Sequence, residues 1–115
     1  MDSLGKILIA SNDSNFRASM VDNLLDQFKA HSIEVLSTEA IFRKIEKEKI
    51  ILLLLDSSII SKEISNFFNK FSKIEKKCFV FLFYASEEKE LIKDSYPISQ
   101  KFLKPIKIEQ VFAFI

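Results

Sequence analysis

The sequence predicts an α/β fold, a single doubly wound (βα)5 domain in which five parallel strands form one sheet with helices on both faces. Short apolar runs alternate along the chain with amphipathic segments of helical period, and the run at residues 50–55 has no polar face before it stops at Asp56. A run this short and apolar is typical of a strand buried on both sides of a parallel sheet. The 115 residues, 48% of them hydrophobic, suffice for one domain at 1–115.

The first half of the chain begins with two strands, each followed by a helix. The first strand is expected at Lys6–Ala10, and the helix after it is expected to use Ser14 as its N-cap. The second strand is expected at residues 33–36, with Thr38 as the cap of the next helix. The apolar positions expected to face the core from these two helices are Phe16, Met20, Leu24, Leu25, Phe28, Ile41, Phe42 and Ile45.

The second half of the chain continues the alternation after the strand that ends at Asp56. A third helix precedes the strand Phe79–Tyr84, which is expected to be fully buried, and residues 101–103 form the fifth strand. Ser86 begins a short fourth helix, since the acids behind it stabilise the positive end of the helix dipole. The inner positions expected for the third helix are Ile64, Phe67, Phe68, Phe71 and Ile74, and those for the last helix are Ile108, Val111, Phe112 and Ile115.

Composition and charge exclude several classes of function. A net charge of +1, with the lysines spread along the chain, argues against a surface that binds nucleic acid. No apolar run approaches the roughly 18 residues of a membrane span, and the N-terminus lacks the pattern of a signal peptide, so we expect a cytoplasmic protein without membrane contacts. Cys78 is the single cysteine, which excludes a disulfide within the chain and predicts a buried, inert thiol.

Polar residues follow the strands at one predicted edge of the sheet. The carboxyl ends of parallel strands meet at the same edge, where open α/β folds place their chemistry. The residues at this edge are Ser11, Asn12 and Asp13 after the first strand, Asp56 after the third, Tyr84, Ala85 and Ser86 after the fourth, and Lys104 and Pro105 after the fifth.

Four segments, in order and spacing, resemble the receiver domain of two-component response regulators across essentially the whole chain. They are Lys-Ile-Leu-Ile-Ala-Ser-Asn-Asp13, Leu-Leu-Leu-Leu-Asp56, Phe-Leu-Phe-Tyr-Ala85 and Phe-Leu-Lys104-Pro105. The resemblance implies a flavodoxin-like fold and transfer of a phosphoryl group from a histidine kinase to Asp56. It also implies that Lys104 pairs with that group, and that Mg²⁺ is held by the phosphoacceptor and an acidic pair after the first strand.

The acidic pair is missing from this sequence. Its two positions fall on Ser11 and Asn12, which are neutral, with Asp13 one residue further on. A site with a single central carboxylate is expected to bind Mg²⁺ poorly, so the sequence predicts no resident metal or other cofactor. Asp13 and Asp56 are the residual candidate ligands, although the capping of the first helix is the favoured role for Asp13.

Other positions also depart from the family pattern. Tyr84 replaces the small hydroxyl residue that the resemblance places at the end of the fourth strand, and Ser86 lies two residues on. The aromatic switch position falls on Lys101, with Phe102 adjacent under a slip of one residue. Lys104 has a second interpretation as the partner of a buried ion pair with Asp56, and that interpretation is favoured over a catalytic role.

These departures lead to the hypothesis of a degenerate receiver, or pseudo-receiver, that is not an enzyme and acts through protein–protein contacts. The expected partners are a histidine kinase or an output domain, or a second copy bound through the fourth helix, fifth strand and last helix at about residues 87–115. One alternative is a competent receiver phosphorylated on Asp56. Another is a domain that binds a small ligand or nucleotide at the same edge, against which the single glycine counts.

Overall fold

The structure is a computed structural model that describes residues 5–115. Its strands are β1 (Lys6–Ala10), β2 (Ser32–Val35), β3 (Ile50–Asp56), β4 (Phe79–Tyr84) and β5 (Gln100–Leu103). Its α-helices are α1 (Ser14–Phe28), α2 (Thr38–Lys47), α3 (Ile64–Lys73) and α4 (Ile108–Phe112), and 3₁₀ helices span Ser57–Ile59 and Ser86–Leu91. The five strands are all parallel and lie in the order β2-β1-β3-β4-β5, which confirms the predicted (βα)5 fold.

Strand β3 occupies the centre of the sheet, as its apolar run predicts. It pairs with β1 on one edge and β4 on the other, so that Leu54 lies between Ile9 and Phe81. Alternate side chains enter two separate cores: Leu53 and Leu55 pack towards α2 and α3, whereas Leu54 packs towards α1 and α4. All three leucines are fully buried, and each contributes about 1.5–3 kcal/mol of hydrophobic stabilisation.

Aromatic packing fixes the helices on the sheet. The predicted inner face of α3 is confirmed at Ile64, Phe67, Phe68 and Phe71, which are buried. The fifth predicted position, Ile74, lies just beyond the helix and is half-buried. Phe67 packs against Phe42 of α2 with ring centroids 5.2 Å apart, which joins the two helices over one face. On the other face Phe28 of α1 meets Phe112 of α4 edge to face at 5.2 Å.

Helix α1 begins at Ser14, one residue earlier than expected, because Ser14 was predicted to be its N-cap. The N-cap is Asp13 and not Ser14, which is the first residue of the helix. The carboxylate Oδ1 of Asp13 accepts hydrogen bonds from the backbone N–H groups of Asn15 at 2.9 Å and Phe16 at 3.4 Å. Both residues favour N-caps, but only Asp13 has the extended backbone that a cap needs, and its predicted capping role is confirmed.

The start of α2 is also shifted by one residue from its predicted position. Ser37 is the N-cap in place of Thr38, and its Oγ accepts a hydrogen bond of 3.1 Å from the N–H of Ala40. The preceding strand ends at Val35, so Leu36 lies outside β2 with 59% of its surface exposed. The loop at Leu36 and Ser37 turns the chain before the helix, and a serine in extended conformation caps as well as a threonine.

Three apolar side chains expected in the core are exposed. Leu25 lies next to Leu24 on α1, about 100° further round the helix, and is 49% exposed. Phe79 is the first residue of β4 and is 68% exposed. Ile115 is 41% exposed because α4 ends at Phe112, short of the last predicted position.

The remaining differences concern the fourth helical segment and the single cysteine. Ser86 begins the segment as predicted, but Ser86–Leu91 is a 3₁₀ helix without a buried residue. Cys78 is half-buried, and burial raises the pKa of its thiol to about 11, so the thiol is protonated at neutral pH. In the described part of the chain, no helix is both long and apolar enough to cross a membrane.

Candidate functional site

The carboxylate of Asp56 lies at the carboxyl end of β3 and is almost completely buried, with 2% of the residue exposed. Its Oδ2 accepts a hydrogen bond of 2.6 Å from the hydroxyl of Ser11. Its Oδ1 accepts from the backbone N–H of Ser58 at 3.2 Å and from the ammonium group of Lys104. We call these four residues the Asp56 cluster.

The parallel sheet brings the cluster together. Ala10 is in register with Leu55, so the residue that follows β1, Ser11, emerges beside Asp56. Lys104 follows β5, and its backbone N–H donates a 2.8 Å hydrogen bond to the carbonyl of Tyr84 at the end of β4. The sequence prediction that these strand ends share one edge is thereby confirmed.

Opposing influences act on the charge of Asp56. Burial has the largest effect and raises the pKa of the carboxyl, since a low dielectric disfavours its charged form. Hydrogen bonds from Lys104, Ser11 and the Ser58 backbone together outweigh burial and hold the pKa below its ordinary value. Asp56 is therefore ionised at neutral pH and forms a buried ion pair with Lys104, whose side chain is 32% exposed.

The neighbours of Ser11 face other groups. The Asn12 side-chain amide donates a 3.2 Å hydrogen bond to the carbonyl of Ser58, and the Asn12 backbone N–H donates to the Ser58 hydroxyl at 3.3 Å. Asp13 caps α1, while its N–H donates to Ser11 Oγ at 3.0 Å. These hydrogen bonds join the loop after β1 to the loop after β3.

Two other predicted site residues lie at the end of β4 and just beyond it. Tyr84 is half-buried and packs against the core that β3 forms with α2 and α3, and its carbonyl anchors the backbone of Lys104. Ser86 is exposed at the start of the 3₁₀ helix, with its hydroxyl 3.4 Å from the carboxylate of Glu87. The structure therefore places the Ser86 hydroxyl at the surface and outside the Asp56 cluster.

The two candidate switch residues point to opposite faces of β5. Lys101 is exposed, and its ammonium group lies 3.8 Å from the carboxylate of Asp94. Phe102 is only 9% exposed and stacks on Phe83 with ring centroids 5.3 Å apart. Lys101 thus occupies the outward position of this strand, while Phe102 is part of the core beside α4.

Sequence reasoning missed a second interaction at this edge, formed by Ser57 and Glu88. The Ser57 hydroxyl donates a 2.6 Å hydrogen bond to Glu88 Oε1, and the backbone N–H of Ala85 donates to the same oxygen at 2.8 Å. The bond between Ala85 and Glu88 has a sequence signal, because an acid three residues after the first residue of a helix start commonly accepts from the backbone N–H of that residue. Ser57 carried no signal beyond its place next to Asp56.

Two hollows in the surface lie away from the Asp56 cluster. One, of about 510 Å³, runs along α1 beside Asp22 and Asp26. The other, of about 640 Å³, lies at the opposite end of the strands and is lined mainly by apolar side chains, Phe28, Phe79 and Phe114 among them. Neither adjoins the edge at which the ligand-binding alternative would place a small molecule or nucleotide.

Metal-binding groups are sparse at this edge. Within residues 5–115, no group of three or more His, Cys, Asp or Glu side chains is arranged to hold a metal ion. The two residual candidate ligands, Asp56 and Asp13, both accept hydrogen bonds from protein donors.

Solved receiver domains have the same fold. Over 96% of its length, the chain matches 92% of the N-terminal receiver domain of a response regulator from Bacteroides fragilis, with 21% identity and a TM-score of 0.78. It matches 90% of a response regulator receiver domain protein from Methanospirillum hungatei at 21% identity and a TM-score of 0.74. A receiver-modulated diguanylate cyclase from Pelobacter carbinolicus is similar over 88% of its chain, with 20% identity and a TM-score of 0.72.

These likenesses define the fold. No protein-family model and no curated protein sequence matches the chain. At identities of about one in five, structural similarity over nearly the whole chain shows a receiver-type doubly wound fold and leaves function to the site itself. The fold that the sequence resemblance implied is confirmed.

Proposed function

We propose that this chain is a degenerate receiver module of bacterial two-component signalling. It acts in the cytoplasm through protein–protein contacts, has no enzymatic activity of its own, and undergoes Mg²⁺-dependent phosphorylation of Asp56 weakly or not at all. The observation that supports this proposal is the state of Asp56, whose two carboxylate oxygens accept from Ser11, Ser58 and Lys104. Where a competent receiver needs two further acids, this chain has Ser11 and Asn12.

The donor set does not fit Mg²⁺. This cation prefers an octahedron of oxygen ligands with carboxylates among them. Here Ser11 donates its hydroxyl proton to Asp56, and the Asn12 side-chain amide donates to the Ser58 carbonyl, so both positions supply neutral groups in place of carboxylates. The Asp13 carboxylate is engaged by the first turn of α1. The proposed function therefore does not depend on a bound metal ion.

The same contacts reduce the reactivity of Asp56 as a nucleophile. Attack on a phosphoryl group needs an available carboxylate oxygen and positive charge near the transferred group. In this cluster Lys104 is the only cation paired with Asp56, and that pairing neutralises the acid itself. Three of the roughly four acceptor positions of the Asp56 carboxylate are already occupied. Because the group is also buried, an incoming phosphoryl group has little access to it.

The proposed docking face consists of the 3₁₀ helix Ser86–Leu91, β5 and α4. Leu91 and Leu103 are about half exposed on it, and Lys101 adds an outward charge. Large apolar side chains beside charged ones at a surface favour a protein partner. We propose that this face binds an output domain, a kinase or a second copy, without a need for phosphorylation.

The direct experiment is a titration with Mg²⁺ or Mn²⁺ followed by NMR. We expect no saturable change in the resonances of residues 10–13 and 56 at low millimolar metal, because hard-cation affinity follows the charge of the ligands. Beryllofluoride, a phosphoryl mimic, is expected to leave the same resonances unchanged. Saturation by metal at these residues would contradict the proposal.

A second candidate function is that of a competent receiver that accepts a phosphoryl group on Asp56. It is favoured by one observation, the ionised carboxylate at the end of β3 with Lys104 opposite, which is the acceptor and lysine pair that the resemblance implies. Intact-mass measurement after incubation with a small phosphodonor and Mg²⁺ separates the two. One added phosphoryl group, lost in Asp56→Asn, would establish the second candidate.

A further inference from the structure

One oxygen of Glu88 joins the loop after β3 to the loop after β4. It accepts hydrogen bonds from the hydroxyl of Ser57 at 2.6 Å and from the backbone N–H of Ala85 at 2.8 Å. Ser57 follows Asp56 directly and is 1% exposed, whereas Glu88 is half-buried in the 3₁₀ helix Ser86–Leu91. A carboxylate acceptor makes both bonds stronger than those between neutral groups.

The 3₁₀ helix has few other attachments to the core. None of its six residues is buried, and the next buried apolar residue along the chain is Ile92. Hydrophobic burial therefore contributes little to the position of Ser86–Leu91. Among residues 5–115, the buried hydroxyl of Ser57 supplies a side-chain hydrogen bond to this segment from the neighbouring strand end. A buried hydroxyl without a partner is unfavourable, so this attachment is maintained in the folded protein.

We infer that Glu88 is the positioning residue of the docking face. Through Ser57 it holds the 3₁₀ helix against the Asp56 edge, and so sets the position of Leu91 relative to Lys101 and Leu103 on β5. This inference rests on the proposed function for the identity of that face. The hydrogen bond between Ser57 and Glu88 does not involve a phosphoryl group, so it holds the docking face in one arrangement without phosphorylation.

The test measures amide hydrogen exchange by NMR in the whole chain. The Ala85 amide reports directly, because its proton is bonded to Glu88. Ser57→Ala is expected to raise the exchange rate of this amide about tenfold, the scale of one charge-assisted hydrogen bond, although Ser57 does not touch it. The same variant is expected to shift the Leu91 resonances, and Glu88→Ala to reproduce both effects.

Matched controls separate this effect from general loosening. Ser61→Ala makes the same chemical change at an exposed serine, and Glu90→Gln removes a charge from an exposed acid of the same 3₁₀ helix. The amides of Leu54 and Leu82, buried in the central strands, report on global stability and are expected to keep their exchange rates. Glu88→Gln keeps an acceptor oxygen without the charge and is expected to restore part of the Ala85 protection that Glu88→Ala loses.

The inference is overturned if Ser57→Ala leaves the Ala85 exchange rate and the Leu91 resonances within the range of the two controls. It is equally overturned if Glu88→Gln exchanges as fast as Glu88→Ala, since the acceptor oxygen would then have no role. If Ser57→Ala does not fold, the comparison of Glu88→Gln with Glu88→Ala decides the question. The measurement uses neither a phosphodonor nor a partner, so its failure would leave the proposed chemistry of Asp56 standing.

Discussion

Asp56 retains its charge in a buried position because three separate segments of the chain supply its donors. Ser11 follows β1, Ser58 lies two residues after Asp56, and Lys104 follows β5. The only ammonium group in the cluster is that of Lys104, so the ion pair depends on it. Loss of one member of such a pair leaves an uncompensated charge in a low dielectric.

Lys104→Met is expected to destabilise the protein by about 2–3 kcal/mol. This lies below the ~3–5 kcal/mol of a fully buried pair because solvent partly screens the ammonium group. Urea unfolding near neutral pH checks the value. The matched control is Lys101→Met, which removes the lysine of an exposed, 3.8 Å pair and is expected to leave stability unchanged. Equal effects of the two substitutions would contradict the importance of the Asp56 pair.

The dependence of stability on pH has a defined sign at Asp56. The folded-state pKa lies below the ordinary value, so the folded form favours the ionised carboxylate. This stabilisation is complete above the unfolded-state pKa of about 3.9 and is lost as pH falls through the folded-state pKa. Asp56→Asn is therefore expected to lose less stability than the parent as the pH falls below about 4. Parallel acid curves for the two proteins would contradict this expectation, and Asp22→Asn on the exposed face of α1 serves as control.

At the scale of elements, Asp13 belongs to α1 and not to a metal site. Asp13→Ala is expected to destabilise the protein by about 1 kcal/mol, the usual effect of a lost N-cap, whereas Asp13→Asn retains an acceptor and is expected to be nearly neutral. Thermal unfolding measures both variants. If Asp13→Asn were much less stable than the parent in the presence of Mg²⁺ but equally stable without it, Asp13 would instead belong to a metal site.

The sequence predicted elements more reliably than their ends. Periodicity and apolar runs identify β1, β3, β4 and the inner face of α3, because burial on a sheet requires those patterns. Caps depend on backbone angles at single residues, which pattern alone does not fix, so Ser14 and Thr38 were chosen in place of Asp13 and Ser37. Leu25 and Ile115 continue apolar patterns beyond the surface that the sheet covers.

The candidate site was predicted in part. Ser11, Asp56 and Lys104 meet because strand ends converge in any parallel sheet of this order. The contact between Ser57 and Glu88 joins residues 31 positions apart through side chains alone. No local pattern encodes such a contact, and it emerges only when the loops after β3 and β4 have their three-dimensional positions.

At the scale of the whole molecule, the fold of a receiver is combined with an edge stabilised by the protein's own groups. In a receiver with several carboxylates at this edge, like charges repel until a cation binds. Here Ser11 donates a hydrogen bond to Asp56, and Asn12 donates one to Ser58. Neutral hydrogen-bond donors therefore stand where a receiver of that kind has mutually repelling carboxylates. The account's central claim is therefore that the edge is stable without metal.

The most direct test compares melting temperatures of the parent and of the double variant Ser11→Asp plus Asn12→Asp, with and without millimolar Mg²⁺. The parent is expected to show no change with Mg²⁺. The double variant is expected to be less stable by about 1–2 kcal/mol without metal, because two acids replace two donors beside Asp56, and to recover much of that loss when Mg²⁺ binds. A rise of several degrees in the parent upon addition of Mg²⁺ would contradict the account and favour a phosphorylation-competent receiver.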